Sequence, residues 1–279
     1  MYEEEVYTLD SLGEPMFTSR SSQIYIWRGN TLLKLFKAGV SLDLILNEEI
    51  NTTEAYEQGV SKVKCHGRIS VGDRTGLVIE KVDGKTLISL AGVKPGTVFG
   101  VPKLMAQLQI NLHNTCTSAI RSYKGMVMSA LDSEPLSFLT DREKRTTIEK
   151  LNALPDGDSI LHLDYHPDNI MSDAKNATII DWMTAASGAP AADVAATLYL
   201  LTEGEMIPGL NKAVASILES IRRMICKGYL KEYKKATGMT DAEIAPWRLP
   251  FLIVRLGIWN IESEVRDLQQ KIRTELKNQ

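Results

Sequence analysis

The stretch that most constrains the fold is residues 159–184, in which two short apolar runs enclose a polar loop. The runs are Ile160-Leu161 and Thr178-Ile179-Ile180, and short runs of branched residues bounded by turn residues are typical of strands. Asp181 directly follows the second run. The loop between the runs contains His162, Asp164, His166, Asp168 and Asn169. The pattern predicts that these polar side chains are held on a loop at a strand edge.

Three of these residues have a spacing that suits phosphoryl transfer. Asp164 and Asn169 match the D-x-x-x-x-N spacing of a kinase catalytic loop, and Asp181 stands where a metal-binding Asp would follow. The reaction needs a carboxylate beside the attacking hydroxyl and hard oxygen ligands for the Mg²⁺ that bridges the phosphates. We therefore predict that Asp164 is the base that orients the acceptor, and that Asn169 and Asp181 are the Mg²⁺ ligands. A polar turn followed by a hairpin explains any one of these residues, but not the ordered set.

The same segment carries a family resemblance. Residues 162–169, His-Leu-Asp-Tyr-His-Pro-Asp-Asn, resemble the H-G-D-x-H-P-x-N loop of the aminoglycoside phosphotransferase and choline kinase-like superfamily. Ile180-Asp181-Trp182 resembles its I-D-W/F metal motif, and Ala192–Ala195 resembles its D-[LVI]-A helix start. The likeness is strong over residues 159–202 and weaker, but in order, over 17–115. It implies an α+β, bilobal protein-kinase-like fold with a β-rich N-lobe and a mainly helical C-lobe.

Four residues in and near the loop need separate interpretation. Leu163 replaces the usual Gly of the family pattern, and a left-handed backbone there would be costly for Leu. We predict that Asp193 is a structural acid that hydrogen-bonds the catalytic loop, with a contact to the helix dipole as the alternative. His162 and His166 lack the partners of a zinc site, so we expect both to shape the loop.

The N-terminal region predicts a hairpin suited to a nucleotide. Gln23–Trp27 and Thr31–Phe36 have the pattern of two strands joined by a Gly-Asn turn. Under the kinase template Lys34 binds the α- and β-phosphates, whereas an exposed strand lysine is the plain alternative. The loop at residues 18–22 stands where a glycine-rich loop would be but has no glycine. We predict Ser19 in this loop as a weak nucleotide contact.

A predicted helix over residues 42–58 would carry the acid that pairs with Lys34. Glu48 and Glu49 are both candidates, and the family's spacing to the following Ala-Tyr and Gly favours Glu48.

The strand predicted at residues 76–80 continues into a segment that resembles the hinge of kinases. Backbone groups of Glu80 and Val82 would contact the purine of ATP or GTP, although a strand ending in an Asp-Gly turn predicts the same residues. We place the domain boundary here, with the N-lobe at 1–83 and the C-lobe at 84–279.

The C-lobe has the apolar periodicity of helices, predicted at 97–122, 192–203, 208–236 and 241–275. His113 in the first of them is predicted to be packed and hydrogen-bonded. Acids recur at Glu203, Glu205, Glu262, Glu264 and Asp267, near Trp259 and Asn260. In the resembled superfamily such helices form the acceptor pocket, where acids and an aromatic ring would suit a cationic amine. Solvated helix faces are the alternative.

Composition argues against two classes of partner. The chain has 32 basic and 35 acidic residues and a net charge of −3, which predicts neither nucleic-acid nor anionic-membrane binding. No apolar run approaches the roughly 18 residues of a membrane span. The acidic start at residues 1–5 is unlike a signal peptide. Three separated cysteines without a CxxC pattern are typical of reduced thiols, so we expect a cytoplasmic protein.

Together these features predict an ATP- or GTP-dependent, Mg²⁺-requiring phosphotransferase. Its partners would be a nucleotide and a small molecule with a hydroxyl acceptor, of the aminoglycoside, choline or sugar type that the resemblance implies. A protein kinase is disfavoured because no A-P-E-type activation segment follows Asp181. The remaining alternative is a nucleotide-binding pseudokinase with a regulatory or scaffold role, favoured by the glycine-free loop and by Leu163.

Overall fold

The computed structural model describes residues 7–173, 175–204 and 211–277. Its strands, in chain order, are β1 (Phe17–Thr18), β2 (Ser22–Ile26), β3 (Thr31–Phe36), β4 (Cys65–Val71), β5 (Arg74–Glu80), β6 (Lys85–Thr86), β7 (Ser159–Leu161), β8 (Ile170–Ser172), β9 (Ala177–Ile179) and β10 (Ala186–Gly188). Its α-helices are α1 (Leu42–Glu57), α2 (Leu87–Val93), α3 (Val101–His113), α4 (Tyr123–Leu131), α5 (Asp141–Ala153), α6 (Pro190–Thr202), α7 (Lys212–Thr237), α8 (Asp241–Ile244), α9 (Arg248–Val254) and α10 (Val265–Lys277).

The chain divides into two compact units. The first comprises the described residues up to Thr86 together with Asn169–Thr184, and the second comprises Leu87–Asp168 and the described residues from Ala185 onward. The first unit is mainly β and the second mainly helical, so the predicted α+β class is confirmed. The chain leaves the first unit after Thr86, slightly beyond the boundary predicted at residue 83, and returns to it for the β8–β9 hairpin.

The first unit is built on a five-stranded antiparallel sheet with the strand order β1-β2-β3-β5-β4. The predicted hairpin is confirmed: β2 and β3 pair with Ile24 opposite Lys34. Side chains alternate across a strand, so β3 presents Leu33 and Leu35 to one core and Phe36 to another. The second core contains Ile45 of α1. Since Lys34 is two residues before Phe36, the alternation directs it to the face that α1 covers.

A smaller sheet in the first unit carries the segment that follows the polar loop. Strands β6, β8 and β9 form it, with β8 in the centre. Both pairings are antiparallel, and Ile170 lies opposite Ile179. The hairpin therefore places the residues just before β8 beside those just after β9.

The second unit contains a short antiparallel pair of strands, β7 and β10, in which Leu161 lies opposite Ala186. The polar loop follows β7 directly, and α6 begins two residues after β10. Most residues of α6 are buried, including Asp193. The loop and the start of this helix are thus held at the same end of the strand pair.

Two predicted helices are shorter in the structure than their apolar periodicity suggested. The helix expected over 97–122 is α3, which ends at His113 because the following residues pair with the β7 segment: Ile160 N–H donates to the Thr115 carbonyl (2.9 Å) and Thr117 N–H to the Asp158 carbonyl (2.8 Å). Residues before α3 form a 3₁₀ helix, Pro95–Gly100. Tertiary pairing has overridden the local pattern at the C-terminal end.

The single helix expected over 241–275 is divided into α8, α9 and α10. A 3₁₀ turn containing Pro246 separates the first two, and a π-helical turn, Arg255–Trp259, ends at Asn260 with a left-handed φ of 43°. Pro250 does not interrupt a helix, because it lies in the first turn of α9, where the N–H groups have no hydrogen-bond partner within the helix. Among the described residues, no helix is both long and apolar enough to span a bilayer.

Candidate active site

In the first unit a buried lysine joins two carboxylates. The Nζ atom of Lys34 lies 2.5 Å from Glu48 Oε1 and 2.8 Å from Asp181 Oδ1. The Lys34 and Glu48 side chains are 7% and 4% exposed, whereas that of Asp181 is 43% exposed. Burial alone would lower the pKa of Lys34, but Asp181 and then Glu48 outweigh it and hold the pKa above its ordinary value. The amine is therefore a fixed positive charge.

The helix face decides which glutamate meets the lysine. Glu48 lies three residues after the buried Ile45 and so on the same face of α1, directed at β3. Glu49 points elsewhere, and its carboxylate contacts Arg68 Nε at 2.6 Å. Of the two predicted candidates, the structure brings Glu48 to Lys34.

The loop that holds Asp181 is anchored from several directions within the first unit. Asn51 of α1 donates its amide to the Trp182 carbonyl (2.9 Å), and the Ser61 hydroxyl donates to the Ile179 carbonyl (2.9 Å). Asp181 itself has a left-handed φ of 66°, an uncommon conformation that Asp tolerates better than most residues. The contacts on both sides of it fix the direction of its carboxylate.

Asn169 and Asp181 belong to neighbouring strand ends. Ile180 N–H donates to the Asn169 carbonyl at 3.0 Å, which ties the residue before Asp181 to Asn169, and the Asn169 side chain is buried. Among the described residues, no group of three His, Cys, Asp or Glu side chains could hold a metal ion unaided. One carboxylate and one amide oxygen are a donor set that fits Mg²⁺, which usually takes its remaining ligands from phosphates and water.

In the second unit, Asp193 holds the backbone of the polar loop. Its carboxylate accepts hydrogen bonds from His162 N–H (3.1 Å) and Leu163 N–H (2.6 Å). The same carboxylate is contacted by Gln109 Nε2 (2.9 Å) and His113 Nε2 (3.0 Å). The prediction of a structural acid is confirmed, and so is that of a packed, hydrogen-bonded His113.

Leu163 adopts the left-handed backbone conformation that is costly for a leucine. Its φ is 64°, in the left-handed region, and its side chain is completely buried. Such a backbone costs a non-glycine residue roughly 1–2 kcal/mol. Burial of the leucine side chain and the hydrogen bond to Asp193 offset that strain.

The carboxylate of Asp164 lies in a cationic environment. His166 Nε2 is 3.7 Å from Asp164 Oδ2, and the side chain of Asp164 is 23% exposed. Burial alone would raise the pKa of Asp164, but the attraction of His166, followed by that of His162 and Arg255, lowers it to about 2. Asp164 is therefore ionised throughout the physiological pH range.

Arg255 was missed by the sequence analysis. It makes two parallel hydrogen bonds to Glu264, at 2.8 and 2.9 Å, and both side chains are less than one-tenth exposed. A charged residue inside the apolar run at residues 251–256 was the available signal, because a buried Arg is almost always paired.

The phosphate-loop position is a tight turn between β1 and β2. Ser19 closes it: the Ser19 hydroxyl donates to the Ser22 carbonyl (3.1 Å) and accepts from Ser22 N–H (3.0 Å). The hydrogen bonds of the Ser19 hydroxyl therefore stabilise this turn without a glycine or any other residue of positive φ.

The predicted hinge follows β5. Glu80 N–H donates to the Lys64 carbonyl at 2.8 Å, and the Glu80 carboxylate is contacted by Asn30 (3.1 Å) and His66 (2.9 Å). Residues 80–83 also line a cavity of about 260 Å³, together with Lys62 and the β8–β9 hairpin. The N–H of Glu80 is therefore already used within the first unit.

The acids near the C-terminus do not form the free acidic cluster that would bind a cationic amine. Glu203 makes paired hydrogen bonds to Arg248 (2.5 and 2.8 Å) and also contacts Lys271 (3.0 Å). Lys271 contacts Asp267 as well, at 2.5 Å. Glu264 is bound to Arg255. Of the five acids named in the sequence analysis, Glu262 is exposed and Glu205 lies outside the described residues. These ion pairs were not predicted, and the acceptor pocket that the resemblance implies stays a prediction.

A family model described as the phosphotransferase enzyme family matches residues 18–234, well over half of the chain. The chain belongs to the phosphotransferase enzyme family. The resemblance noted in the sequence is confirmed by this match. The matched range contains Lys34, Glu48, Asp164, Asn169 and Asp181.

Solved structures of phosphotransferases and kinases share the fold of this family member at low identity. A thermostable mutant of aminoglycoside phosphotransferase APH(4)-Ia in its apo form has 11% identity and a TM-score of 0.64, covering 95% of this chain and 93% of that chain. Amicoumacin kinase hAmiN, in complex with AMP-PNP, Ca²⁺ and Ami, has 15% identity and a TM-score of 0.60, covering 97% and 89%. Choline kinase LicA from Streptococcus pneumoniae has 14% identity and a TM-score of 0.59, covering 97% and 96%. No curated protein matches the chain. The predicted kinase-like fold is confirmed.

Proposed function

We propose that the protein is a small-molecule kinase that transfers the γ-phosphoryl group of ATP or GTP to a hydroxyl of its acceptor. The observation that carries this proposal is the buried Lys34 amine between Glu48 and Asp181. A fixed cation beside an anchored, partly exposed carboxylate suits a nucleotide triphosphate and its metal ion, and it is an expensive arrangement for a protein that binds neither. Both donors are cytoplasmic metabolites, and we propose the same location for the protein.

In the proposed mechanism Lys34 binds the α- and β-phosphate oxygens, and Glu48 holds its amine in place. Asn169 and Asp181 would hold Mg²⁺, which neutralises charge on the phosphates when bound. Ser19 would contact phosphate from the β1–β2 turn. The Glu80 carbonyl and the Val82 backbone would contact the purine edge.

Asp164 would accept a hydrogen bond from the attacking hydroxyl. A carboxylate with a pKa of about 2 is a weak base, so its main contribution would be to orient the hydroxyl and to receive its proton late in the transfer. Asp193 would act through the loop backbone, as a positioning residue, by fixing the direction from which Asp164 approaches the acceptor.

The conformation of Leu163 argues against the pseudokinase alternative. The backbone at this position is left-handed, a conformation that the glycine of the family pattern would adopt without strain. The substitution has therefore not moved the loop away from a left-handed turn.

The test combines nucleotide binding with turnover. Saturating ATP or GTP with Mg²⁺ should raise the melting midpoint by a few degrees, because a ligand at 100 times its dissociation constant adds about 2.7 kcal/mol. Asp181→Asn should abolish the Mg²⁺-dependent part of that shift. Asp164→Asn should retain it and lower Mg²⁺-dependent turnover about 10²–10⁴-fold. Unchanged turnover in Asp164→Asn, or no shift with either nucleotide in folded protein, contradicts the proposal.

A further inference from the structure

Two tyrosines of α7 contact polar side chains of α3 in the interior of the second unit. The Tyr229 hydroxyl donates to Gln109 Oε1, and the Tyr233 hydroxyl oxygen lies 2.6 Å from His113 Nδ1. The tyrosines are four residues apart and so are their partners, so each pair of residues lies on one face of its helix. All four side chains are buried. The two helices are therefore matched by two buried polar contacts, one helical turn apart.

The packing of α7 on α3 does not itself need these hydroxyls. A Cβ atom built on Gly228 would lie 2.7 Å from the Cβ atom of Pro102, so the glycine already lets α7 approach α3 closely. Replacing both partners of a buried hydrogen bond by apolar groups of the same shape can be nearly neutral for stability. A fully satisfied buried network, in contrast, rigidifies the interior and specifies one arrangement of it. The tyrosine contacts are thus better suited to fixing a geometry than to supplying packing energy.

Both contacts lead to the carboxylate of Asp193. Gln109 Nε2 donates to Asp193 Oδ2 at 2.9 Å, and His113 Nε2 lies 3.0 Å from the same oxygen. Burial alone would raise the pKa of Asp193, but the hydrogen bond with His113 outweighs it and holds the pKa below its ordinary value. An ionised carboxylate can only accept, so His113 Nε2 is the donor, and Nδ1 of the neutral imidazole accepts from the Tyr233 hydroxyl. Because Asp193 accepts from the N–H groups of residues 162 and 163, a continuous series of hydrogen bonds joins α7 to the polar loop.

From this series of contacts we infer that Tyr229 and Tyr233 are positioning residues of the phosphoryl transfer, which fix the direction of Asp164 through the Asp193 carboxylate. This inference rests on the proposed function. Asp164 directly follows the two backbone N–H groups that Asp193 binds, so a shift of that carboxylate moves the backbone that carries Asp164. A misplacement of about 1 Å, caused far from the reacting atoms, can lower a rate about 10²-fold.

The first measurement follows the loop directly and needs no acceptor. Backbone hydrogen exchange would be compared by mass spectrometry in the wild type, Tyr229→Phe and Tyr233→Phe, for peptides covering residues 159–165. Peptides from α5 report global opening of the same unit. Relative to them, we expect the loop peptides of either variant to exchange at least about fivefold faster, equivalent to about 1 kcal/mol.

Tyr123→Phe is the matched control for this measurement. The Tyr123 ring is 1% exposed, and its hydroxyl is buried without a hydrogen-bond partner among the described residues. The control makes the same chemical change in the interior of the same unit but removes no hydrogen bond. It should leave the exchange of the loop peptides unchanged.

The second measurement separates positioning from a general loss of fold. Mg²⁺-dependent ADP release from ATP, with water as the acceptor, would be measured in Tyr233→Phe, Asp164→Asn and the double variant. We expect Tyr233→Phe to lower kcat about tenfold and to leave KM for ATP within about twofold, because the proposed nucleotide groups belong to the first unit. In the Asp164→Asn background the same change should have little further effect, since residues that act as a unit are not additive.

Two outcomes would overturn the inference. The first is loop exchange in Tyr229→Phe and Tyr233→Phe that matches the Tyr123→Phe control. The second is a loss of kcat that is as large in the Asp164→Asn background as in the wild type, because independent effects add. Failure of the proposed function is a separate result: a wild type without the Mg²⁺-dependent nucleotide shift refutes that function, and with it the catalytic role of the tyrosines, whatever the loop exchange shows.

Discussion

The left-handed, buried Leu163 makes an unusual stability order testable. At an ordinary position glycine destabilises a protein by roughly 0.5–1 kcal/mol relative to alanine, because it loses more backbone freedom on folding. At Leu163 the φ of 64° costs alanine roughly 1–2 kcal/mol that glycine avoids. Leu163→Gly should therefore be more stable than Leu163→Ala, by about 1 kcal/mol.

Both variants should still be less stable than the wild type. The Leu163 side chain is fully buried, and deleting a buried leucine side chain down to alanine costs about 2–5 kcal/mol. Relief of about 1–2 kcal/mol of strain offsets only part of that loss in the glycine variant. Burial therefore outweighs strain, which is the reason a leucine is tolerated at this position.

The measurement is equilibrium urea denaturation of the two variants, with Leu161→Gly and Leu161→Ala as the matched controls. Leu161 is equally buried but has no positive φ, so its pair should show the ordinary order, with alanine more stable than glycine. An alanine variant at residue 163 that is as stable as the glycine variant would refute the argument from backbone strain.

Two further predictions concern the same loop. Asp193→Ala should lower the free energy of unfolding by at least about 3 kcal/mol in denaturation experiments, because it removes a buried charged acceptor of four hydrogen bonds. Asp193→Asn should lower it by less. Equal, small losses in both variants would contradict the role of Asp193 in holding the loop. His166→Gln removes the largest influence that lowers the pKa of Asp164. Asp164 is active when ionised and loses that form as the pH falls through its folded pKa of about 2, so the acidic limb of the kcat/KM profile should move to higher pH in the variant. A profile that coincides with the wild type between about pH 2 and 5 would contradict this.

The side chains grouped around Lys34 were largely predictable from the sequence. Period-two alternation in β3 directs Lys34 to the α1 face, and helical spacing places Glu48 three residues after the buried Ile45. Both rules are local, and they act on elements whose lengths the sequence predicted nearly correctly. The functional roles of these residues remain predictions.

What the sequence did not predict depends on contacts between distant residues. Helix α3 stops at His113 because later residues pair with the β7 segment, and apolar periodicity cannot register that pairing. The partner of Arg255 is nine residues away across a π-helical turn and a left-handed Asn260, so its distance to Glu264 could not be read from helical spacing. Glu203 contacts Arg248, 45 residues away, and periodicity within one helix cannot register that contact either.

The discontinuity of the first unit has a consequence for how the chain is made. Strand β6 finds its neighbour β8 only after Leu87–Asp168 has been synthesised, and Asp181, the second carboxylate on Lys34, is later still. A ribosome that has released the five-stranded sheet has therefore not yet supplied the whole of the unit to which it belongs. Until translation has passed residue 181, Lys34 of the proposed nucleotide site can pair with Glu48 but not yet with Asp181.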